Sequence, residues 1–192
     1  MEGDERRQLS HVRERIQLLL DTHLRALPHE TLRPCEGDVV IQQGAIAERV
    51  MLVLAGELTI EVESGDKAPQ ILAIVGAQEL IGEMGLVGDN HHSATVRVSR
   101  GPAELVAIRA DDLLQASLYD SELVMELLAL SSARCRRSNQ TLALLFTALQ
   151  ALVQEDQLTL ERSCADLASQ VGTARSAAIL LKTLAARLQQ KA

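Results

Sequence analysis

The sequence of 192 residues almost lacks aromatic side chains: Phe146 and Tyr119 stand alone, and tryptophan is absent. Binders of single-stranded nucleic acid that stack bases need several exposed rings, so this class is excluded. An excess of basic charge is lacking too, because 26 Asp and Glu outnumber 19 Lys and Arg and give a net charge of −7. Bulk charge therefore does not draw the chain to nucleic acid or to an anionic membrane.

Paired cysteines are also missing. Cys35, Cys135 and Cys164 lie far apart and form no CxxC pair, so a disulfide framework or a zinc ribbon has no support, and we expect a reducing cytoplasm. No stretch approaches the ~18 apolar residues of a membrane span, and the N-terminal MEGDERRQ lacks the apolar segment of a signal peptide. No paired nucleophile and base and no dinucleotide fingerprint is present, so we do not expect an enzyme.

Glycine and proline are absent from residues 103–171, whereas most of the eleven glycines fall within 37–101. The glycine-rich region can make many tight turns, and the region without glycine can sustain long helices. We therefore predict an α+β protein in three parts. These are an N-terminal helix with a β-roll over 1–110, a long helix over 111–152 and a small helical unit over 153–192.

Short strand-like runs fill the glycine-rich region and favour a small β-barrel or jelly roll. Residues 50–54 and 58–62 are two such runs with Gly56 between them, which predicts a hairpin. Two more strands are expected in SATVRVSRG and AELVAIRA, which follow each other in the sequence.

The apolar spacing of three and four residues predicts an amphipathic helix over 5–24. Asp111 is a plausible N-cap for a further helix. The leucine-rich stretch 120–152 is too apolar for one exposed helix and leaves two alternatives open: packing on its own barrel or pairing in a dimer. In the dimer alternative the seam consists of Leu127, Leu130, Leu142 and Leu145.

The last segment, 158–192, has helical periodicity that is interrupted once, at Gly172 and Thr173, which indicates a helix–turn–helix. Residues 145–192 contain five Lys or Arg and four Asp or Glu. The second helix offers only Arg175, Ser176 and Lys182 to the major groove of DNA. Two alternatives stay open here, a DNA-binding end and a helical cap that packs on itself or on a second copy.

One motif makes the order of elements specific. Residues 81–86 read IGEMGL, and HSATV follows from His92 after five residues. This resembles the phosphate-binding cassette of the Crp/Fnr family of cyclic-nucleotide-binding regulators. EGDVVIQQG and VMLVLAGELTI are similar to that family's first strands. LSSARCRRSNQTL, with Arg136, Arg137 and Thr141, resembles its dimerisation helix.

The resemblance implies a ligand pocket at the cassette. A glycine turn before a short helix aims backbone N–H groups at an anion. Glu83 would accept a hydrogen bond from a ribose hydroxyl and Ser93 would donate one to the ligand. Ser131, Ser132 and Thr141 on the long helix would contact a base, or alternatively would bond back to helix carbonyls. The implied ligand-binding residues are Gly82, Glu83, Met84, His92, Ser93, Ala94, Ser132 and Thr141.

His92 stands where the family has arginine. Imidazole is mostly neutral at pH 7 and lacks the planar fork of a guanidinium. Losing a charged, two-pronged contact to phosphate costs about 2–3 kcal/mol, so we expect weak or absent binding of cAMP and cGMP. A metal site at Asp89, His91 and His92 would need further ligands at set spacings, which we do not find. An iron–sulfur cluster needs four cysteines, and the chain has three.

The resemblance therefore implies a cytoplasmic, homodimeric, effector-sensing transcription regulator without membrane attachment. Its effector would be a small anion such as cAMP, cGMP or a cyclic dinucleotide, and its partner double-stranded DNA. The alternative is a dimeric interaction module that does not bind DNA and has lost or changed its ligand. The polarity of the second C-terminal helix discriminates between the two readings, since base edges require hydrogen-bonding side chains.

Overall fold

A computed structural model describes residues 14, 15, 18, 22, 27–63, 65, 68–86, 89–170 and 172–189. The predicted N-terminal helix over 5–24 lies largely outside these residues, and its four described positions are helical. Among the residues that the model describes, no helix is long and apolar enough to cross a membrane.

The strands are β1 His29–Leu32, β2 Val39–Ile41, β3 Arg49–Val62, β4 Gln70–Val75, β5 Leu80–Ile81 and β6 Thr95–Arg109. They form one antiparallel sheet in the order β1-β6-β3-β4, with β2 paired to β6 and β5 paired to β3. This arrangement confirms the predicted jelly roll. A short 3-10 helix, Glu83–Leu86, follows β5.

The predicted hairpin at Gly56 is wrong. β3 runs through this glycine as one strand and pairs antiparallel with β6 on both sides of it, with register shifts between Val53 and Leu58. Gly56 has a φ of +93°, and an added Cβ would stand 2.7 Å from the Cα of Ala103. The glycine therefore serves a bulge and a close approach of two strands instead of a chain reversal.

The two strands expected in SATVRVSRG and AELVAIRA are likewise a single strand, β6. Both halves of β6 find partners in the same long strand β3, from Glu61 opposite Thr95 to Arg49 opposite Arg109. A strand with a continuous partner can pass through Gly101 and Pro102, where the local sequence alone indicates an interruption.

After β6 the described residues are mainly helical, and the predicted helix–turn–helix is confirmed. The single long helix predicted over 111–152 is wrong in its first part, because the backbone is extended at Asp120 and divides this stretch into two helices. Asp111 as an N-cap is wrong, because the first helix begins one residue earlier and Arg109 is its N-cap residue. Asp111 lies instead in the first turn, where its negative charge interacts favourably with the positive end of the helix dipole. The helices are α1 Ala110–Tyr119, α2 Ser121–Val153, α3 Gln157–Ser169 and α4 Thr173–Gln189.

The leucines of α2 divide between core and surface. Leu130 is 1% exposed and packs with half-buried Leu127 in the core of its own chain. The prediction that Leu130 lies in a seam with a second copy is therefore wrong, because a side chain that is already buried has no exposed surface left for another chain to cover. Leu145 is half-buried, and only Leu142 of the predicted four is exposed.

The chain divides into two compact units, and the division falls within α2, between Ala133 and Arg134. The first unit contains most of the sheet and its core, which is built around Leu58, Leu105 and Val98. The second unit contains residues 70–73 and everything after Ala133. Its core consists of small and aliphatic residues of α2, α3 and α4, namely Ala148, Ala151, Leu160, Cys164, Leu167, Ala174, Ala178, Leu181 and Ala185.

Candidate functional site

The turn at residues 82–86 is shaped by two glycines. Gly82 has a φ of +84°, and an added Cβ would lie 3.1 Å from the carbonyl oxygen of Arg49 and 3.3 Å from Cε1 of His92. An added Cβ on Gly85 would overlap the methyl group of Ala47. At Gly85 the backbone thus approaches its neighbours more closely than a side chain allows, and at Gly82 the positive φ and the tight surroundings favour glycine.

His92 is fixed by its own backbone. Its N–H donates to the carbonyl of Ala45 at 2.9 Å, and its carbonyl accepts from the N–H of Gly44 at 2.8 Å. One step earlier, Ala47 donates to the carbonyl of Asn90 at 2.9 Å. This ladder places the imidazole against the glycine turn, and it joins segments that are far apart in the sequence.

Glu83 is a buried carboxylate at the start of the 3-10 helix, with 4% of its surface exposed. Desolvation lowers the pKa of His92 below its ordinary 6.5, and the negative charge of Glu83 raises it in partial opposition. His92 is therefore a neutral ring at pH 7 beside a buried acid. Such a pair can accept and donate hydrogen bonds, but it lacks the fixed positive charge that a phosphate prefers.

The other cassette residues are sequence neighbours of Glu83 and His92. Met84 is exposed within the 3-10 helix, Ser93 is exposed, and Ala94 is half-buried directly before β6. The structure thus brings Gly82, Glu83 and His92 together.

Ser132 and Thr141 lie on α2, in different units. Ser131 is half-buried and Ser132 exposed in the first unit. In the second unit the hydroxyl of Thr141 lies 2.8 Å from Oε1 of Gln170 and 3.1 Å from the carbonyl of Arg137. Thr141 thus makes the back-bond to the helix that the alternative reading of this residue describes.

The three residues predicted to contact DNA lie on α4. Nε of Arg175 donates to the carbonyl of Ala168 at 3.2 Å, and the hydroxyl of Ser176 lies 3.5 Å from the carbonyl of Gly172. Both side chains therefore have partners at the turn between α3 and α4. Lys182 borders a groove of about 380 Å³ between these helices, which is lined by Gln157, Leu160, Glu161, Lys182, Ala185 and Ala186.

The structure shows two exposed apolar rows, of which the sequence analysis identifies only Leu142. The first, which we call the α2 row, lies in the second unit on the face of α2 away from buried Ala148. Its residues follow at spacings of seven, four, three and four, and this heptad spacing was a signal that could have identified them. The α2 row consists of Cys135, Leu142, Phe146, Leu149 and Val153.

The second row, which we call the α4 row, consists of Leu180, Leu184 and Leu188, and all three are exposed. The spacing of four residues was again visible in the sequence. The sequence also does not indicate residues 44–47 beside the glycine turn. Their pairing with residues 90–92 is long-range and therefore leaves no local signal. Within the described part of the chain, no group of three His, Cys, Asp or Glu is placed to hold a metal ion.

Comparisons with known proteins agree with this geometry. Residues 21–119 match the family model of the cyclic nucleotide-binding domain. A cyclic nucleotide-binding domain from Methylobacillus flagellatus is 26% identical with a TM-score of 0.52, covering 58% of this chain and 65% of that chain. No curated protein matches the sequence.

Two transcription regulators share the fold at lower identity. The Catabolite Activator Protein of Thermus thermophilus is 22% identical with a TM-score of 0.57, covering 91% of this chain and 95% of that chain. The c-di-GMP responsive regulator CLP of Xanthomonas campestris is 21% identical with a TM-score of 0.55, covering 66% of this chain and 65% of that chain.

Proposed function

Because this chain belongs to the cyclic nucleotide-binding domain family, we propose that it is an effector-sensing, homodimeric regulator of the Crp/Fnr type. A small anionic effector binds at residues 82–86, and α2, which is shared by both units, relays its presence to α3 and α4. The observation that carries this proposal is Glu83, an acid that is buried at the start of the short helix and close to His92.

The effector is a cyclic nucleotide, either cAMP, cGMP or a cyclic dinucleotide. Glu83 accepts a hydrogen bond from its ribose hydroxyl, and His92 and Ser93 face its phosphate. Met84 and Ala94 complete the cassette, and Ser132 is the polar group of α2 offered to a base, whereas the hydroxyl of Thr141 already has partners within its own unit. Since His92 is neutral and has no guanidinium fork, cAMP and cGMP bind weakly.

Calorimetry with cAMP, cGMP and cyclic di-GMP tests this site. We expect Glu83→Gln to weaken the binding of the best of the three ligands by about tenfold, because a hydrogen bond to a carboxylate is worth roughly 1.5 kcal/mol more than one to the neutral amide oxygen of glutamine. Glu79→Gln is the matched control, since Glu79 is equally buried before the same turn. Equal affinity of wild type and Glu83→Gln would contradict the proposal.

The α2 row is where the two copies meet. None of the five residues of the row is charged, so two identical rows can face each other without repulsion. Phe146 is 66% exposed on a helix that already packs its opposite face in its own chain. Heptad spacing on an exposed face is typical of a two-stranded coiled coil.

The output of the regulator is carried by α3 and α4. In the reading typical of the family, Arg175, Ser176 and Lys182 contact double-stranded DNA. A mobility-shift assay across a pool of genomic fragments at low salt tests this reading, and no retained fragment would contradict it.

A second candidate function is a dimeric interaction module that does not bind DNA. One observation favours it: Leu180, in the middle of the helix that would read the bases, is 69% exposed. Base edges offer hydrogen-bond donors and acceptors, which leucine cannot satisfy. In either case we place the protein in the cytoplasm, where its three unpaired cysteines stay reduced. We propose that its three functional parts are the roll over 1–110, the helical part over 111–152 and the C-terminal unit over 153–192.

A further inference from the structure

The outward side of α4 carries a continuous apolar strip. Leu180, Leu184 and Leu188 are 69%, 48% and 52% exposed, and their spacing of four residues aligns them along about 12 Å of helix. The opposite side of α4 is already packed, because Ala178, Leu181 and Ala185 are buried in the core of the second unit. Contiguous exposed leucines on a folded domain mark a surface that binds another molecule.

The polar side chains near the start of α4 do not change the character of this strip. Arg175 and Ser176 have partners in the turn before the helix, at the carbonyls of Ala168 and Gly172. Between Arg175 and the C-terminal end of α4, the exposed large side chains are mainly apolar. A helix of this kind is suited to apolar contact and has few groups that can read a base edge.

The charge of α4 has one sign. Its only ionisable groups are Arg175, Lys182 and Arg187, and no Asp or Glu occurs among its residues, although the whole chain has a net charge of −7. Arg187 lies beside the α4 row, three residues after Leu184 and one before Leu188. A second copy of α4 would bring a second Arg187 to the contact, which disfavours self-pairing, whereas an acidic partner gains on approach.

From these observations we infer that the α4 row is a docking surface for an amphipathic helix of another protein, with leucine-like side chains on one face and Asp or Glu beside them. The inference rests on the second candidate function, in which the C-terminal helices bind protein. Three anchors four residues apart match the way in which amphipathic helices are recognised. The acidic flank of the partner then lies against Arg187.

Fluorescence anisotropy with the full chain tests this docking surface. The probe is a labelled helical peptide with leucines on one face and glutamates beside them, and its comparison is the same peptide with lysines in place of the glutamates. We expect the acidic peptide to bind at least about tenfold more tightly than the basic one. The double substitution Leu180→Ser and Leu184→Ser should weaken binding by roughly tenfold or more, because two anchors are lost.

Two further variants keep the test specific. Leu118→Ser, at an exposed position on α1 in the first unit, should leave the affinity unchanged. Arg187→Glu should weaken the acidic peptide about two- to fivefold, as an exposed ion pair predicts, and should strengthen the basic one. The latter variant exchanges one exposed side chain for another, so it remains informative if the double variant unfolds.

Four outcomes would overturn the inference. The wild type does not bind the acidic peptide; the double variant binds it equally well; a double-stranded DNA fragment binds to wild type and is lost in the double variant; or the double variant changes from dimer to monomer in light scattering, which would mean that a second copy covers the row. Calorimetry with cyclic nucleotides on the double variant separates this inference from the effector site, because an intact Glu83 should still bind ligand there.

Discussion

The imidazole of His92 lies over Gly85, with its Nδ1 3.5 Å from the position that a Cβ on Gly85 would take. The methyl group of Ala47 lies against the same position on Gly85. Three chain segments thus meet at one backbone position, which explains why a turn that carries the proposed effector needs glycine there.

The substitution Gly85→Ala should destabilise the protein by about 1–3 kcal/mol, because the added methyl group overlaps that of Ala47 and the core must yield. Urea unfolding measures this change. Gly76→Ala is the matched control, since an added Cβ there would stand 3.7 Å from the nearest atom, the carbonyl oxygen of Gly56. Equal losses at both positions would contradict the close contact at Gly85.

The buried ring of His92 should make stability depend on pH. Desolvation holds the pKa of His92 in the folded state below 6.5, although the charge of Glu83 partly opposes this. The unfolded chain therefore binds the proton first as pH falls. The stability that neutral His92 provides is complete above pH 6.5 and is lost as the pH falls below that value.

His92→Gln should flatten this part of the profile in thermal unfolding between pH 5.5 and 8, because glutamine does not titrate. His29→Gln is the control at an exposed histidine. A wild type and a His92→Gln variant with parallel pH profiles would show that the ring is not desolvated in the folded protein.

The sequence predicts much of this fold from local patterns. The absence of glycine from residues 103–171 predicts helices, and the IGEMGL motif predicts the turn that places Glu83 next to His92. Gly56 shows the limit of this reasoning. A glycine between two β-branched runs fits a hairpin and a bulge equally well, and only the long-range pairing of β3 with β6 decides between them.

The leucines of α2 show a second limit. Periodicity identifies an apolar face, but this helix has two such faces, one for its own core and one that is exposed. Leu130 and Phe146 are both large apolar residues of α2, and only the packing of the chain buries Leu130 and leaves Phe146 exposed. Likewise, no local pattern indicates that residues 44–47 pair with 90–92.

Thr141→Val should lower the stability of the second unit by roughly 0.5–1.5 kcal/mol, because it leaves Oε1 of Gln170 without the hydroxyl at 2.8 Å. The control is Thr147→Val, since the hydroxyl of Thr147 bonds to the carbonyl of Ala143 in the same helix. Chemical unfolding followed by circular dichroism measures both. A loss at Thr141 no larger than that at Thr147 would contradict a structural role for the bond to Gln170.

Cys135 offers a direct test of the α2 row. In a parallel two-stranded pairing, residues at this heptad position face their counterparts, close enough for a disulfide. We expect mild oxidation to give a covalent dimer on a non-reducing gel, and Phe146→Glu to reduce its yield by placing two like charges in the row.

Cys135→Ser should abolish the covalent dimer, and Cys35→Ser should leave it intact. Cys164 should not contribute, because it is buried and desolvation raises the pKa of its thiol, with Lys182 in partial opposition. A covalent dimer that persists in Cys135→Ser would show that the copies meet elsewhere.

The central claim is that residues 82–86 and His92 together hold the phosphate of a cyclic nucleotide, and calorimetry of His92→Arg tests it most directly. The guanidinium restores a charged, two-pronged contact worth about 2–3 kcal/mol, so the affinity for cAMP or cGMP should rise by about 30- to 150-fold over wild type. A His92→Arg variant that folds normally and binds neither nucleotide more tightly than wild type would contradict the claim.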